Sequence, residues 1–67
     1  MTMPTYPIIV RVLATNPGPL TLRQVAHEAR IDPTSEHLLA IRDIMYELVD
    51  VDAVTAHTNK IFELNLD

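Results

Sequence analysis

Four carboxylates, Glu36, Asp43, Glu47 and Asp50, recur at intervals that bring them to one face if the segment is helical. A row of carboxylates attracts cations and repels phosphate. Arg23, His27 and Arg30 stand at i, i+4 and i+7, the spacing of one outer side of a preceding helix. Such a strip suits contact with phosphate or with an acidic partner, and Lys60 is the only further cation downstream of Arg42. The histidines His27, His37 and His57 have no companions at ligand spacing and the chain has no cysteine, so no metal site is expected. Each Ser, His and Asp has a capping or surface explanation, which leaves no nucleophile–base–acid set to argue. The single glycine, Gly18, excludes a glycine-rich phosphate loop. A chain of this size has little room for a catalytic cleft. The residues therefore read as non-enzymatic, with no cofactor and no small-molecule substrate.

These residues must be positioned by a few short elements. A first helix is expected over about 5–15, with Pro7 in its first turn, where the missing N–H is harmless. Ile8, Ile9, Val12 and Leu13 supply its buried stripe. Asn16-Pro17-Gly18-Pro19 stops it. A second helix is expected over about 22–30. Thr21 as N-cap and Gln24 three residues later form a capping box, and Leu20 and Val25 a hydrophobic staple. Leu22, Val25, Ala26 and Ala29 face inward. A third helix is expected over about 34–49, capped by Asp32, Thr34 or Ser35. Leu38, Ile41, Met45 and Leu48 form its core stripe, with Ile44 beside them. The period then changes to two. A hairpin over about 53–66 turns at Thr58-Asn59-Lys60, where Asn tolerates positive φ, and Phe62, Leu64 and Leu66 point to the core.

The 67 residues make one domain, 1–67, of α+β class. A chain this short buries only ~60% of the surface it exposes when unfolded. Hydrophobic residues, at 48%, are enough for a core without disulfides. The absence of cysteine suits a reducing cytoplasm. There is no apolar run near the ~20 residues of a membrane span and no basic n-region of a signal peptide, so a cytoplasmic protein without membrane contact is expected. Net charge is −4, from five Lys and Arg against nine Asp and Glu. Duplex binders gain most of their affinity by neutralising phosphate with Lys and Arg, which this balance does not favour.

The order of elements resembles the winged helix-turn-helix family. The residues that carry the likeness are Val12-Leu13, then Leu20-Thr21-Leu22, Val25-Ala26, Ala29 and Ile31, then Met45, Leu48 and Asp52-Ala53-Val54. The last stretch is similar to the family's Leu-x-x-Leu-x-x-x-Gly-Leu-Val, with Asp52 where glycine is usual. The resemblance covers nearly the whole chain. It implies a winged helix with a very short wing and, by default, a DNA-binding regulator. Winged helices also serve as protein-binding modules, and a fold does not fix its use.

The surface decides between these. The outer face of the third helix holds Glu36, Ala40, Asp43 and Glu47, with Leu39, Tyr46 and Asp50 at its edge. No Arg, Lys, Asn or Gln is on it, although these are the common base-reading side chains. Asp43 and Glu47 form a like-charge i,i+4 pair, and Glu47 and Asp50 sit at the end of the helix where cations are preferred. Leu39 and Tyr46 share a side of the helix and, if uncovered, make an amphipathic strip with Tyr as an anchor. The reading is a small regulatory protein that docks on a larger protein, plausibly of transcription or other nucleic-acid machinery. It uses Glu36, Leu39, Ala40, Asp43, Tyr46 and Glu47. Arg23, His27, Arg30 and Lys60 form a candidate phosphate or acidic-partner contact. The partner is another protein or a second copy in a homodimer. The alternative is a dimeric, sequence-specific DNA-binding regulator that uses the third helix and the wing.

Overall fold

A computed structural model describes residues 3–65. Three helices pack against a three-stranded antiparallel sheet. The order is α1 (Tyr6–Thr15), β1 (Leu20–Thr21), α2 (Leu22–Glu28), α3 (Ser35–Asp50), β2 (Val54–Thr58) and β3 (Ile61–Leu64). The sheet order is β1-β3-β2.

α1 follows Thr5, whose side chain makes no capping bond, and carries Pro7 in its first turn. Asn16 closes it by donating its backbone N–H (3.0 Å) and its Nδ2 (2.9 Å) to the Val12 carbonyl. The chain then reverses at Gly18, whose φ of +106 is open to glycine and rare for other residues. Ile9, Val12 and Leu13 are buried and Ile8 is half-buried.

The capping box at the start of α2 forms in both directions. The Gln24 N–H donates to Thr21 Oγ1 at 3.1 Å, and the Thr21 N–H donates to Gln24 Oε1 at 2.8 Å. α2 is shorter than the sequence pattern predicts, ending at Glu28 and not near 30. The Ile31 N–H reaches back to the Ala26 carbonyl (2.8 Å) and the Arg30 N–H to that of His27 (3.1 Å). That pair of bonds is a Schellman closure, and it requires left-handed backbone at Arg30, where φ is 59. α3 ends in the same way. The Ala53 N–H bonds to the Leu48 carbonyl (2.9 Å), the Asp52 N–H bonds to that of Val49 (3.0 Å), and Asp52 has φ 59. Asp52 thus does the work that a glycine does more cheaply.

Of the three candidate caps for α3, Thr34 is used, its Oγ1 accepting from the His37 N–H at 3.2 Å. His37 Nδ1 lies 2.7 Å from the Asp32 carbonyl, as a donor to it. Ile41, Ile44 and Met45 are buried on α3, whereas Leu38 and Leu48, expected at the centre of its stripe, are half-buried at the core margin.

β1 was not expected from the sequence pattern. Leu20 pairs with Phe62 and Thr21 with Ile61, so the residues preceding α2 also form a strand edge. In the hairpin, Val54 pairs with Leu64 and Ala56 with Phe62, and a register shift between Ala56 and Thr58 precedes the turn. The positive φ expected at Asn59 is not used: among the described residues it occurs only at Gly18, Arg30 and Asp52. Thr58 Oγ1 accepts from the Lys60 N–H at 3.1 Å and holds the turn instead. Phe62 is fully buried and Leu64 half-buried; Leu66, also expected in the core, lies outside the described residues. The core joins Ile9, Val12 and Leu13 of α1, Val25 and Ala26 of α2, the buried stripe of α3, and Val54 and Phe62 of the sheet. No helix among the described residues is long and apolar enough to cross a membrane.

Candidate interaction surface

The core stripe of α3 fixes what its opposite side presents. With Ile41, Ile44 and Met45 turned inward, Glu36, Asp43, Glu47 and Asp50 are exposed and Ala40 is half-exposed. Leu39 is 50% exposed and Tyr46 40%. Neither is fully covered, although the hairpin meets one edge of the Tyr46 ring. Tyr46 is nonetheless held. Its ring meets the buried Phe62 edge to face, with centroids 5.6 Å apart and planes at 86°. Phe62 is itself locked between Leu20 and Ala56 on neighbouring strands. The Tyr46 ring is therefore presented in a defined orientation, with part of its surface free.

Among the described residues the carboxylates of α3 make no ion pair. Among the described residues the one close charged contact is between His57 and Glu63 on the hairpin, at 2.8 Å. The like-charge neighbours Asp43 and Glu47 are thus both exposed, with no ion-pair partner among the described residues.

The cations are arranged differently from the sequence pattern. Arg23, His27 and Arg30 do not form one helical row, because α2 stops at Glu28 and Arg30 sits in the left-handed closure beyond it. Arg23 lies between two concavities. The smaller one it shares with His27, Glu28, Gln24, Leu20 and Asn16. The other is a groove of about 660 Å³ between the start of α2, the first half of α3 and the β2–β3 turn. Arg23, Arg42 and Lys60 all line it, with Leu22, Leu38, Leu39 and Ile61, and no carboxylate does. Lys60 is brought there by its own carbonyl, which accepts from the Leu22 N–H at 3.1 Å and pins the turn to α2. Three of the five Lys and Arg residues thus border one groove of a chain whose net charge is −4. Arg42 was not among the expected site residues, and its Nε is buried without an acceptor. Its position four residues after Leu38 and three after Leu39 put it beside the core in the sequence pattern; only the hairpin turn makes that position the wall of a groove.

No group of three or more His, Cys, Asp or Glu residues close enough to hold a metal ion occurs among the described residues. No family model, no curated protein and no solved structure matches the chain.

Proposed function

We propose that this chain is a non-enzymatic regulatory module of winged-helix type that docks on a larger protein through the outer face of α3. The element order and the pairing of a short strand with the C-terminal hairpin are compatible with that layout. The observation that carries the docking reading is the exposure of Leu39 and Tyr46 among unpaired carboxylates. A rigid, half-exposed tyrosine beside a leucine is the type of anchor that dominates interface energetics, and the surrounding charge sets steering and register. The matching partner surface is apolar at its centre and cationic at its rim. The groove, lined by cations and aliphatic side chains, brings no acid and base together, which fits a binding role better than a catalytic one.

The test is a pull-down with Asp43→Gln/Glu47→Lys against wild type. Loss of the captured partner with the fold retained supports the reading; undiminished capture makes the face a solvated surface only.

A second reading, a dimeric sequence-specific DNA-binding regulator using α3 and the hairpin, is favoured by one observation: Arg23, Arg42 and Lys60 face one groove. The acids of α3 stand beside it and oppose phosphate. With so few phosphate contacts, affinity for duplex DNA at ~150 mM salt is expected in the non-specific range of ~10⁻⁴–10⁻⁶ M. An anisotropy titration showing nanomolar binding to one sequence replaces the first reading with this one.

A further inference from the structure

The groove between the start of α2, the first half of α3 and the β2–β3 turn has two properties that select its occupant. Its charge is of one sign. Arg23, Arg42 and Lys60 line it, no carboxylate does, and none of the three has an ion-pair partner among the described residues. It is also aliphatic, because Leu22, Leu38, Leu39 and Ile61 share the wall with those cations. Charges set in an apolar wall are screened less by water, so an anion is held there more firmly than on an open surface.

α3 gives the groove its length. Ser35, Leu38, Leu39 and Arg42 fall at i, i+3, i+4 and i+7, on one side of the helix, and reach ~10 Å along it. An extended chain advances ~3.3 Å per residue, so about three residues fill that length. The other wall is fixed by the bond from the Leu22 N–H to the Lys60 carbonyl, at 3.1 Å, which ties the turn to α2. The groove is therefore formed before a ligand arrives, which lowers the ordering cost of binding.

We propose that this groove binds a short acidic and aliphatic segment of a partner polypeptide. Leucine-like side chains of the segment pack on Leu22, Leu38, Leu39 and Ile61, and its carboxylates meet Arg23, Arg42 and Lys60. A nucleic acid suits the groove less well. Its phosphates continue past the groove, where Glu36 and Asp43, exposed on α3, repel them, and its backbone offers nothing aliphatic to the four apolar side chains. A short segment keeps its charge inside the groove. The site shares only Leu39 with the acidic outer face of α3, so the proposal does not rest on the docking reading. With so few residues engaged, the affinity belongs near ~10⁻⁵–10⁻⁴ M.

Fluorescence anisotropy with a fluorescein-labelled Gly-Glu-Asp-Leu-Leu-Asp-Glu-Gly peptide tests this. Saturable binding to wild type is expected, weakening as salt is added. Two changes probe the two properties separately. Arg23→Glu/Lys60→Glu in the protein should weaken binding at least ~10-fold, which is ~1.4 kcal/mol. Both side chains are exposed, so the variant should fold, as circular dichroism will check. Replacing both leucines of the peptide by serine should weaken binding to wild type by a similar factor, with no change to the protein. A labelled DNA duplex at ~150 mM salt should bind more weakly than the peptide. A peptide that does not saturate, a serine peptide that binds as well, a variant that binds like wild type, or a duplex that binds more tightly overturns the proposal. Its failure leaves the docking reading standing, because that reading is tested by Asp43→Gln/Glu47→Lys, which alters no residue lining the groove.

Discussion

Arg30→Gly should stabilise this protein. The perturbation acts at a residue with φ 59, where an L side chain places Cβ too close to the following carbonyl at a cost of ~1–2 kcal/mol. The geometry is imposed by the two backbone bonds that close α2, Ile31 to Ala26 at 2.8 Å and Arg30 to His27 at 3.1 Å. Glycine removes the steric cost and keeps both bonds. Against this stands the extra backbone freedom glycine brings to the unfolded chain, ~0.5–1 kcal/mol. Arg30 is exposed and makes no ion pair among the described residues, so no charged contact seen there is lost. The net gain is ~0.5–1 kcal/mol. For a domain of this size ~1 kcal/mol moves the midpoint by ~4–8 °C, so a rise of ~2–8 °C is expected in thermal unfolding followed by circular dichroism. Arg30→Ala is the control, because it removes the side chain but keeps Cβ, and it should gain nothing. Asp52→Gly, at the same φ of 59, should gain less, because Asp enters the left-handed region more readily than Arg. A midpoint for Arg30→Gly at or below wild type, or an equal rise for Arg30→Ala, would refute the argument.

Three further outcomes can be read by the same unfolding assay. Phe62→Ala removes a fully buried ring that touches Tyr46 and should cost ~3–5 kcal/mol, enough to abolish folding of so small a domain; a cooperative transition near the wild-type midpoint would contradict the placement of β3. Thr21→Ala breaks one half of the capping box and should cost ~0.5–2 kcal/mol, seen as a lower midpoint with an unchanged spectrum at low temperature. Asp43→Gln/Glu47→Lys removes a like-charge i,i+4 pair on an exposed face and should raise stability by ~0.2–0.5 kcal/mol, whereas unfolding of that variant would mean that these carboxylates face inward.

Local chemistry made much of the architecture legible. The Thr21–Gln24 capping box is a four-residue pattern whose bonds depend on nothing distant, and it formed as read. The three helices follow from apolar spacing of 3.6, and the hairpin from the change to alternation after α3. The acidic outer face of α3 was equally legible, because once Ile41 and Met45 point inward, Asp43 and Glu47 must point outward. What composition and periodicity could not supply was anything requiring two distant segments to meet. β1 is two residues long, and its strand character exists only because β3, some forty positions later, lies beside it. The left-handed turn at Arg30 carries no glycine to announce it, and the one at Asp52 is signalled only by the family pattern that has glycine there. Whether Leu39 and Tyr46 are covered depended on where the hairpin passes, and it passes under one edge of Tyr46 and leaves Leu39 free. The gathering of Arg23, Arg42 and Lys60 is of the same kind. The sequence determined that cations are few and that the outer face of α3 is acidic. Only the tertiary structure, by pinning the Lys60 carbonyl to the start of α2, decided that three of those cations share one groove, because charge proximity between separate elements is set by the chain's return path and not by local spacing.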